Sequence, residues 1–316
     1  MVRYILQRVV FMLPVALFVS FTTFFLIHLV PGDPARVLLG EEATPQTVAA
    51  LQHQLGLDQP LPQQFVLWLW QAIHGNLGTS IQLQQPVIQA LLQRMPVTVE
   101  LGVASLLYSL ALAIPLGVYS ATHRNGWLEW FINISTLVGT AIPNFVLALL
   151  LIFLFAVLIR FFPPGGYIPF TDDPASNVRD LLLPMVALGT STVAVNLRQL
   201  RASMVEALEQ DYVRTARAKG LSELRVNYTH ALRNSLIPLI TIVGLQIGQI
   251  LGGAIVIEVV FLWPGLGKLA VDSIFAKDYP VVQGVVLIAA FSYMLVNLLV
   301  DVSYVFLDPR IRLNKS

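Results

Sequence analysis

DYVRTARAKGLSELRVNYTHALRNSLIP, residues 211–238, is a polar, basic stretch in a chain that is otherwise mostly hydrophobic. Long apolar segments flank it on both sides, so it stands in water or against another protein. Asp211 is placed to cap a short helix over Tyr212–Lys219 by accepting from the first free backbone N–H groups. Arg217 and Lys219 fall in the last turn, where cations suit the helix dipole. Gly220 supplies the left-handed conformation that ends a helix. Ser222 is a second N-cap position, and the helix after it runs through Ser235 into the next apolar span. The expected form is helix, glycine turn, helix, with positive charge outward. A solvated basic loop obeying only the charge asymmetry of membrane proteins would share this composition but would not need this order.

Around that stretch, the composition is that of an integral membrane protein. Of 316 residues, 56% are hydrophobic and 12% charged, with mean hydropathy +0.73, where a soluble domain carries about 25% charged residues. The net charge of +1 is uninformative, because its distribution matters more than its sum. Cysteine is absent, which excludes disulfides, thiolate metal sites and cysteine nucleophiles. The start MVRYILQRVV has the basic-then-apolar form of a signal peptide. The apolar run is long, however, and no small-residue cleavage site closes it, so it reads as a retained membrane helix.

Six spans are expected, at about Val9–Val30, Thr98–Ala121, Phe131–Arg160, Leu181–Ser203, Ser235–Phe261 and Val281–Leu307. Pro14, Pro115 and Pro143 lie within spans, where neighbouring helices can satisfy the freed carbonyls. Between the first two spans, Thr44–Leu55 reads as a short helix capped by Thr44. Val66–Ile73 is too short to cross a bilayer, although Trp68 and Trp70 suit an interface. Three units follow from this reading: residues 1–97 as a first helix plus an extracytoplasmic region, 98–307 as a five-helix core with a loop at about 204–234, and 308–316 as a tail. Arg3 and Arg8, Arg124, the basic residues from Arg198 to Arg233, and Arg310, Arg312 and Lys315 fall on alternate loops and comprise most of the 19 Lys and Arg. This asymmetry predicts that both termini are cytoplasmic.

Within the spans, Gly244, Gly248 and Gly252 recur every four residues and define one helical face suited to close packing. Asn196, Gln246, Gln249 and Glu258 are polar at membrane depth and are candidates for a translocation path. For the two glutamines, an interhelical hydrogen bond is an equal alternative. Glu100 and Asp301 are candidate intramembrane acids with no evident base beside them.

RTARAKGLSELRV followed by HALRNSLIP resembles the cytoplasmic coupling loop of ABC importer permeases, most closely the dipeptide, oligopeptide and nickel branch, first (B-type) permease subunit. The family signature of Glu-Ala-Ala, three residues, then Gly is met by Arg214, Thr215, Ala216 and Gly220, without the acidic first residue. Arg233 stands where many sugar permeases have proline; both departures fit the peptide-type branch. PGDP, LGLDQPL, FLWPGLG and the ending DPRIRLNKS extend the resemblance over nearly the whole chain. It implies an all-α type I importer fold in a bacterial inner membrane, paired with a second permease, two ATPases and an extracytoplasmic binding protein. It also implies that Tyr212, Arg214, Thr215, Ala216, Lys219, Gly220 and Leu221 contact the ATPase. No cofactor would be bound by this chain, ATP and magnesium being used by the partner. The expected cargo is a peptide, with a nickel chelate as the alternative.

Other function classes have less support. The five histidines are scattered, with no HExxH and no Gly-x-Ser-x-Gly elbow, so an enzyme is disfavoured. Gly267-Lys268 comes nearest to a Walker A motif, but Leu262 replaces its first glycine and Leu269 its Ser or Thr. A self-sufficient secondary transporter should show its own energy coupling, and no inverted repeat is evident.

Overall fold

The computed structural model describes residues 2–29, 43–54, 58–124 and 126–307. Among them the regular elements are helices, with one isolated bridge, Thr79 to Pro86. We number them α1 (Val2–Leu29), α2 (Pro45–Gln54), α3 (Leu61–Ile73), α4 (Val87–Thr122), α5 (Trp127–Ala141), α6 (Asn144–Leu151), α7 (Pro174–Leu208), α8 (Asp211–Ala218), α9 (Glu223–Val260), α10 (Leu266–Phe275) and α11 (Tyr279–Leu307). Five helices among the described residues are long and apolar enough to cross a membrane, or six if the bent pair α5–α6 counts as one span.

The chain divides into two compact units, one of residues 1–96 with 265–298, the other of 97–264 with 299–316. In the first, α2 is capped as expected: the Thr44 hydroxyl accepts from the Thr47 N–H at 3.2 Å, and the Thr47 hydroxyl accepts from the Thr44 N–H at 2.9 Å. Its other core joins Val87, Ala90 and Leu91 of α4 to Leu266 and Leu269 of α10 and to Val281 and Val285 of α11. The helix α10 was not expected from the sequence. Beside it, buried Asp278 accepts from Ser80 Oγ at 2.5 Å and from the Gln82 N–H at 3.0 Å, which ties the loop before α4 to the turn before α11.

In the second unit α7 is the hub, with α5, α6 and α9 all packed on it. Its start is set by Asp173, whose carboxylate accepts from the Ala175 and Ser176 N–H groups at 3.0 and 3.3 Å, with Pro174 in the first helical position. The Ser176 hydroxyl donates to the same carboxylate at 2.6 Å and, with its backbone N–H, holds the Asp173 carboxyl below the usual carboxylate range. Gly189 allows α4 and α7 to cross closely: a Cβ there would lie 2.7 Å from the Tyr108 ring and 2.9 Å from the Ser105 carbonyl. The core of this unit centres on Leu101, Ala187, Leu188, Ile257, Phe261 and Trp263.

Three boundaries differ from the expectation. The helices α4 and α7 begin at Val87 and Pro174, well ahead of Thr98 and Leu181, because the segments before those positions are helical rather than loop, the one in α7 under the Asp173 cap and the one in α4 with Val87, Ala90 and Leu91 packed in a core. As expected, the helix after the turn continues into the fifth span: α9 runs unbroken from Glu223 to Val260, with a π-helical segment at Val226–Ala231. The third span is not one bent helix. Ile142 precedes a proline, which disfavours the helical region, and it is extended at ψ 121°. The two halves meet at 104°. The chain ending, residues 30–42 and Asn125 lie outside the described residues, as does the Asp301 side chain.

Candidate functional site

The helix α8 and the start of α9 form the polar turn between the α7 and α9 spans. Lys219 ends α8, and Gly220 follows at φ +76°, a region that side-chain-bearing residues rarely adopt. The Gly220 N–H donates to the Arg217 carbonyl at 2.9 Å, and the Leu221 N–H to the Ala216 carbonyl at 3.4 Å. This is the two-bond closure of a Schellman motif. Its accompanying apolar contact is present too, since Leu221 packs on Val213, Ala216 and Val226. Arg217 spans the turn to Glu223 through two bonds, Nε to Oε1 at 2.9 Å and an Nη to Oε2 at 3.2 Å.

Two capping expectations are corrected. Asp211 is not the cap of α8: the helix begins at Asp211 itself, Gln210 precedes it, and no side chain caps it. Asp211 instead lies in the first turn, 3.5 Å from Arg214, where its charge faces the positive end of the dipole. Ser222 occupies the N-cap position of α9, but its side chain makes no capping bond.

Of the residues expected to face a partner, Tyr212, Arg214, Thr215, Lys219 and Gly220 are exposed, and Leu221 is half-buried. Ala216 is different. It is buried inside this turn's own core, so it supports the surface rather than forming part of it. Leu224 (73% exposed) and Tyr228, one turn apart at the start of α9, belong to the outward surface and were missed. An exposed leucine–tyrosine pair within LSELRVNY was the available signal. The positive charge is also less free than it reads: Arg124 pairs with Glu209 at 3.1 Å, and Arg201 with buried Glu129.

The four polar residues proposed for a path do not share one open wall. Asn196 is fully buried and donates to Ser109 Oγ at 2.9 Å, Gln246 is buried, and Glu258 is fully buried and accepts from Thr98 Oγ1 at 2.6 Å. Only Gln249 is exposed. Interhelical bonding, the alternative weighed for the two glutamines, is what Asn196 and Glu258 show. Glu100 is likewise held, accepting from the Tyr167 hydroxyl at 2.9 Å and from Asn177 Nδ2 at 2.7 Å. Burial, and then the Glu100 carboxylate, push the Tyr167 hydroxyl up to about 12. Among the packing glycines, a Cβ on Gly244 would lie 2.5 Å from Val300 of α11. Gly252 meets no neighbour within 4 Å, and the close contact falls on Gly253 instead, 3.0 Å from Leu188.

The sequence comparisons cover nearly the whole chain. Residues 113–313 match the family of binding-protein-dependent transport system inner membrane components, and residues 1–102 match the N-terminal part of the same membrane components. A Brucella abortus protein named for a peptide transport system permease is 42% identical over 312 residues, covering 99% of both chains. The dipeptide transport system permease of Alkalihalophilus pseudofirmus is 37% identical over 332 residues, covering 99% of this chain and 100% of the relative. The glutathione transport system permease of Salmonella typhimurium is 40% identical over 312 residues, covering 99% of both chains. With an all-helical fold, five or six candidate spans and these matches, the chain belongs to the family of inner-membrane permease components of binding-protein-dependent ABC importers.

Proposed function

We propose that this permease moves peptides inward and that the α8–Gly220–α9 turn is its lever. The observation carrying the reading is that turn. A closed two-bond cap and a small private core hold Tyr212, Arg214, Lys219 and Leu224 outward on a rigid corner, which a mere connector would not require. The corner seats on an ATPase subunit of the same transporter. ATP and magnesium are used there, ATP binding closes the ATPases, and the turn carries that motion into α7 and α9. A second permease completes the path, and an extracytoplasmic binding protein delivers the cargo. The excess of positive charge on alternate loops supports cytoplasmic termini. The peptide cargo is supported by the names of the three relatives, each a peptide or glutathione permease.

The chain has no native cysteine, so single cysteines report cleanly. Cysteine at Lys219 or Leu224 should crosslink to the co-purified ATPase, and the permease alone should hydrolyse no ATP. Absence of any crosslink in an assembled transporter, or ATP hydrolysis by the pure chain, would overturn the proposal.

A further inference from the structure

The helix α3 has no assigned role. At 13 residues it is about 20 Å long, too short to cross a hydrocarbon core of about 30 Å. It buries no residue completely, yet it is mostly apolar. One face packs on α1 through aromatic rings. Phe65 lies 5.7 Å from Phe21 and 5.5 Å from Phe24 between ring centroids, and Trp68 lies 5.6 Å from Phe24.

This packing fixes the depth of α3. The helix α1 stays apolar as far as Leu29, so Phe24 and Phe21 lie in its C-terminal turns, about 8 and 12 Å short of its end and near one boundary of the hydrocarbon. A helix lying beside those rings is held at the level where the bilayer meets water.

The rest of its surface sorts by helical angle. Val66, Trp70 and Ile73 follow one another at i, i+4 and i+7 and are 62%, 65% and 72% exposed. Gln71 falls on a different flank, about 100° or more around the helix from those three, and is exposed as well. Three faces result: one on α1, one apolar and open, one amide-bearing. Tryptophan and an aliphatic stripe at the hydrocarbon boundary, with an amide beside them, are the chemistry of a helix lying in a membrane interface.

We infer that α3 is a monotopic anchor, seated in the interfacial layer of the lipid bilayer beside the end of α1, with Val66, Trp70 and Ile73 inserted among the acyl chains. The occupant of the open face is lipid, because that face is continuous with the lipid-facing surface of α1, where Phe18 and Phe21 are exposed. The anchor would fix the segment leading to α4 against the membrane surface.

The test uses the full chain, assembled with its transporter subunits in nanodiscs of phosphatidylethanolamine and phosphatidylglycerol. Single cysteines replace Val66, Trp70, Ile73 or Gln71, and each carries a nitroxide. Collision with oxygen, which partitions into lipid, is compared with collision by a water-soluble nickel chelate. The oxygen-to-nickel ratio should be severalfold higher at 66, 70 and 73 than at 71. Nickel-accessible labels at 66, 70 and 73 would overturn the anchor. Labels there shielded from both reagents would also overturn it, and would assign the face to a protein partner. As a check that does not rely on labels, Trp70→Phe should remove a measurable part of the tryptophan quenching by brominated lipid. Unchanged quenching would count against the inference.

Discussion

The Arg217 guanidinium reaches across Gly220 to the Glu223 carboxylate with two bonds, at 2.9 and 3.2 Å. It joins the last turn of one helix to the first turn of the next. Both groups are well exposed, so the pair adds at most about 1 kcal/mol. What sets the angle between the helices is the backbone of Gly220 between them.

The first prediction follows from that backbone. A Cβ on Gly220 would meet nothing within 4 Å, so substitution there is opposed by conformation and not by a clash inside the chain. Holding a side-chain-bearing residue at φ +76° costs roughly 1–2 kcal/mol, more for a β-branched one and less for asparagine. Gly220→Val should leave the protein inserted and paired but abolish stimulation of ATP hydrolysis by cargo and binding protein. Gly220→Asn should retain most of it. Stimulated ATPase activity of reconstituted complexes is the measurement. Equal activity of both variants would remove the lever.

Ala216 makes the complementary case. Because it is buried with Val213 and Val226, Ala216→Asp puts an unpaired carboxylate into an apolar cluster, at a cost of at least a few kcal/mol. It should unravel the turn, so that protease cuts between α8 and α9 as well as transport being lost. Lys219→Ala and Arg214→Ala should leave the turn protease-resistant and weaken only the association with the ATPase. A clean loss of coupling in Ala216→Asp, with the turn intact, would show that Ala216 faces the partner.

These two residues show how much the sequence disclosed. Both stand in the signature, but signature membership does not distinguish a residue that touches the partner from one that props up the surface. That depends on which way α8 faces, and Val213, Ala216 and Val226 fix it only once α9 folds back. The spans were legible because hydropathy is local. Their ends were not, because α7 begins in a polar turn that the Asp173 cap holds helical, and α4 begins in a segment that the packing of Val87, Ala90 and Leu91 holds. The burial of Asn196 and Glu258 depends on Ser109 and Thr98, each more than 80 positions away. No pattern within a window could pair them.

Glu129 and Arg201 give a stability prediction. Their ion pair joins α5 to α7, with the Glu129 side chain 9% exposed and that of Arg201 31%. Glu129→Ala strands a guanidinium in a poorly hydrated place and should cost about 2–4 kcal/mol, toward the lower end because Arg201 retains some access to water. Glu129→Leu combined with Arg201→Met should recover most of it. Thermal unfolding in detergent checks both, and additive losses would mean the two residues act independently.

Asp173 yields a pH dependence whose sign can be worked out. Its carboxyl is held below the ordinary value of 3.8 by the Ser176 hydroxyl and backbone N–H, so folding favours the ionised form. The stabilisation is present above that ordinary value and fades as pH falls through the lower folded value. Amide exchange at Ala175 and Ser176 should accelerate on acidification across this range. In Asp173→Asn, which still offers an oxygen to the same N–H groups, exchange should be insensitive to pH once the intrinsic rate is divided out. A pH-dependent Asn variant would mean that another group controls the start of α7.

Orientation is the last prediction, and the structure decides where its probes belong. Gln84 is at φ +52°, and Asp173 caps α7, so cysteine at either place would disturb what it reports. Gln82 and Asp172 lie beside them, exposed and free of both constraints at the side chain. On the other face Ser222 and Leu224 are exposed at the turn. In whole cells, cysteine at Gln82 and Asp172 should react with a membrane-impermeant maleimide, and cysteine at Ser222 and Leu224 should react only after the membrane is opened. Two labels on each side matter, because a single silent position could be shielded by a partner. Labelling of both Ser222 and Leu224 in intact cells would invert the protein. It would place the turn on the side away from ATP, and no lever could then operate there.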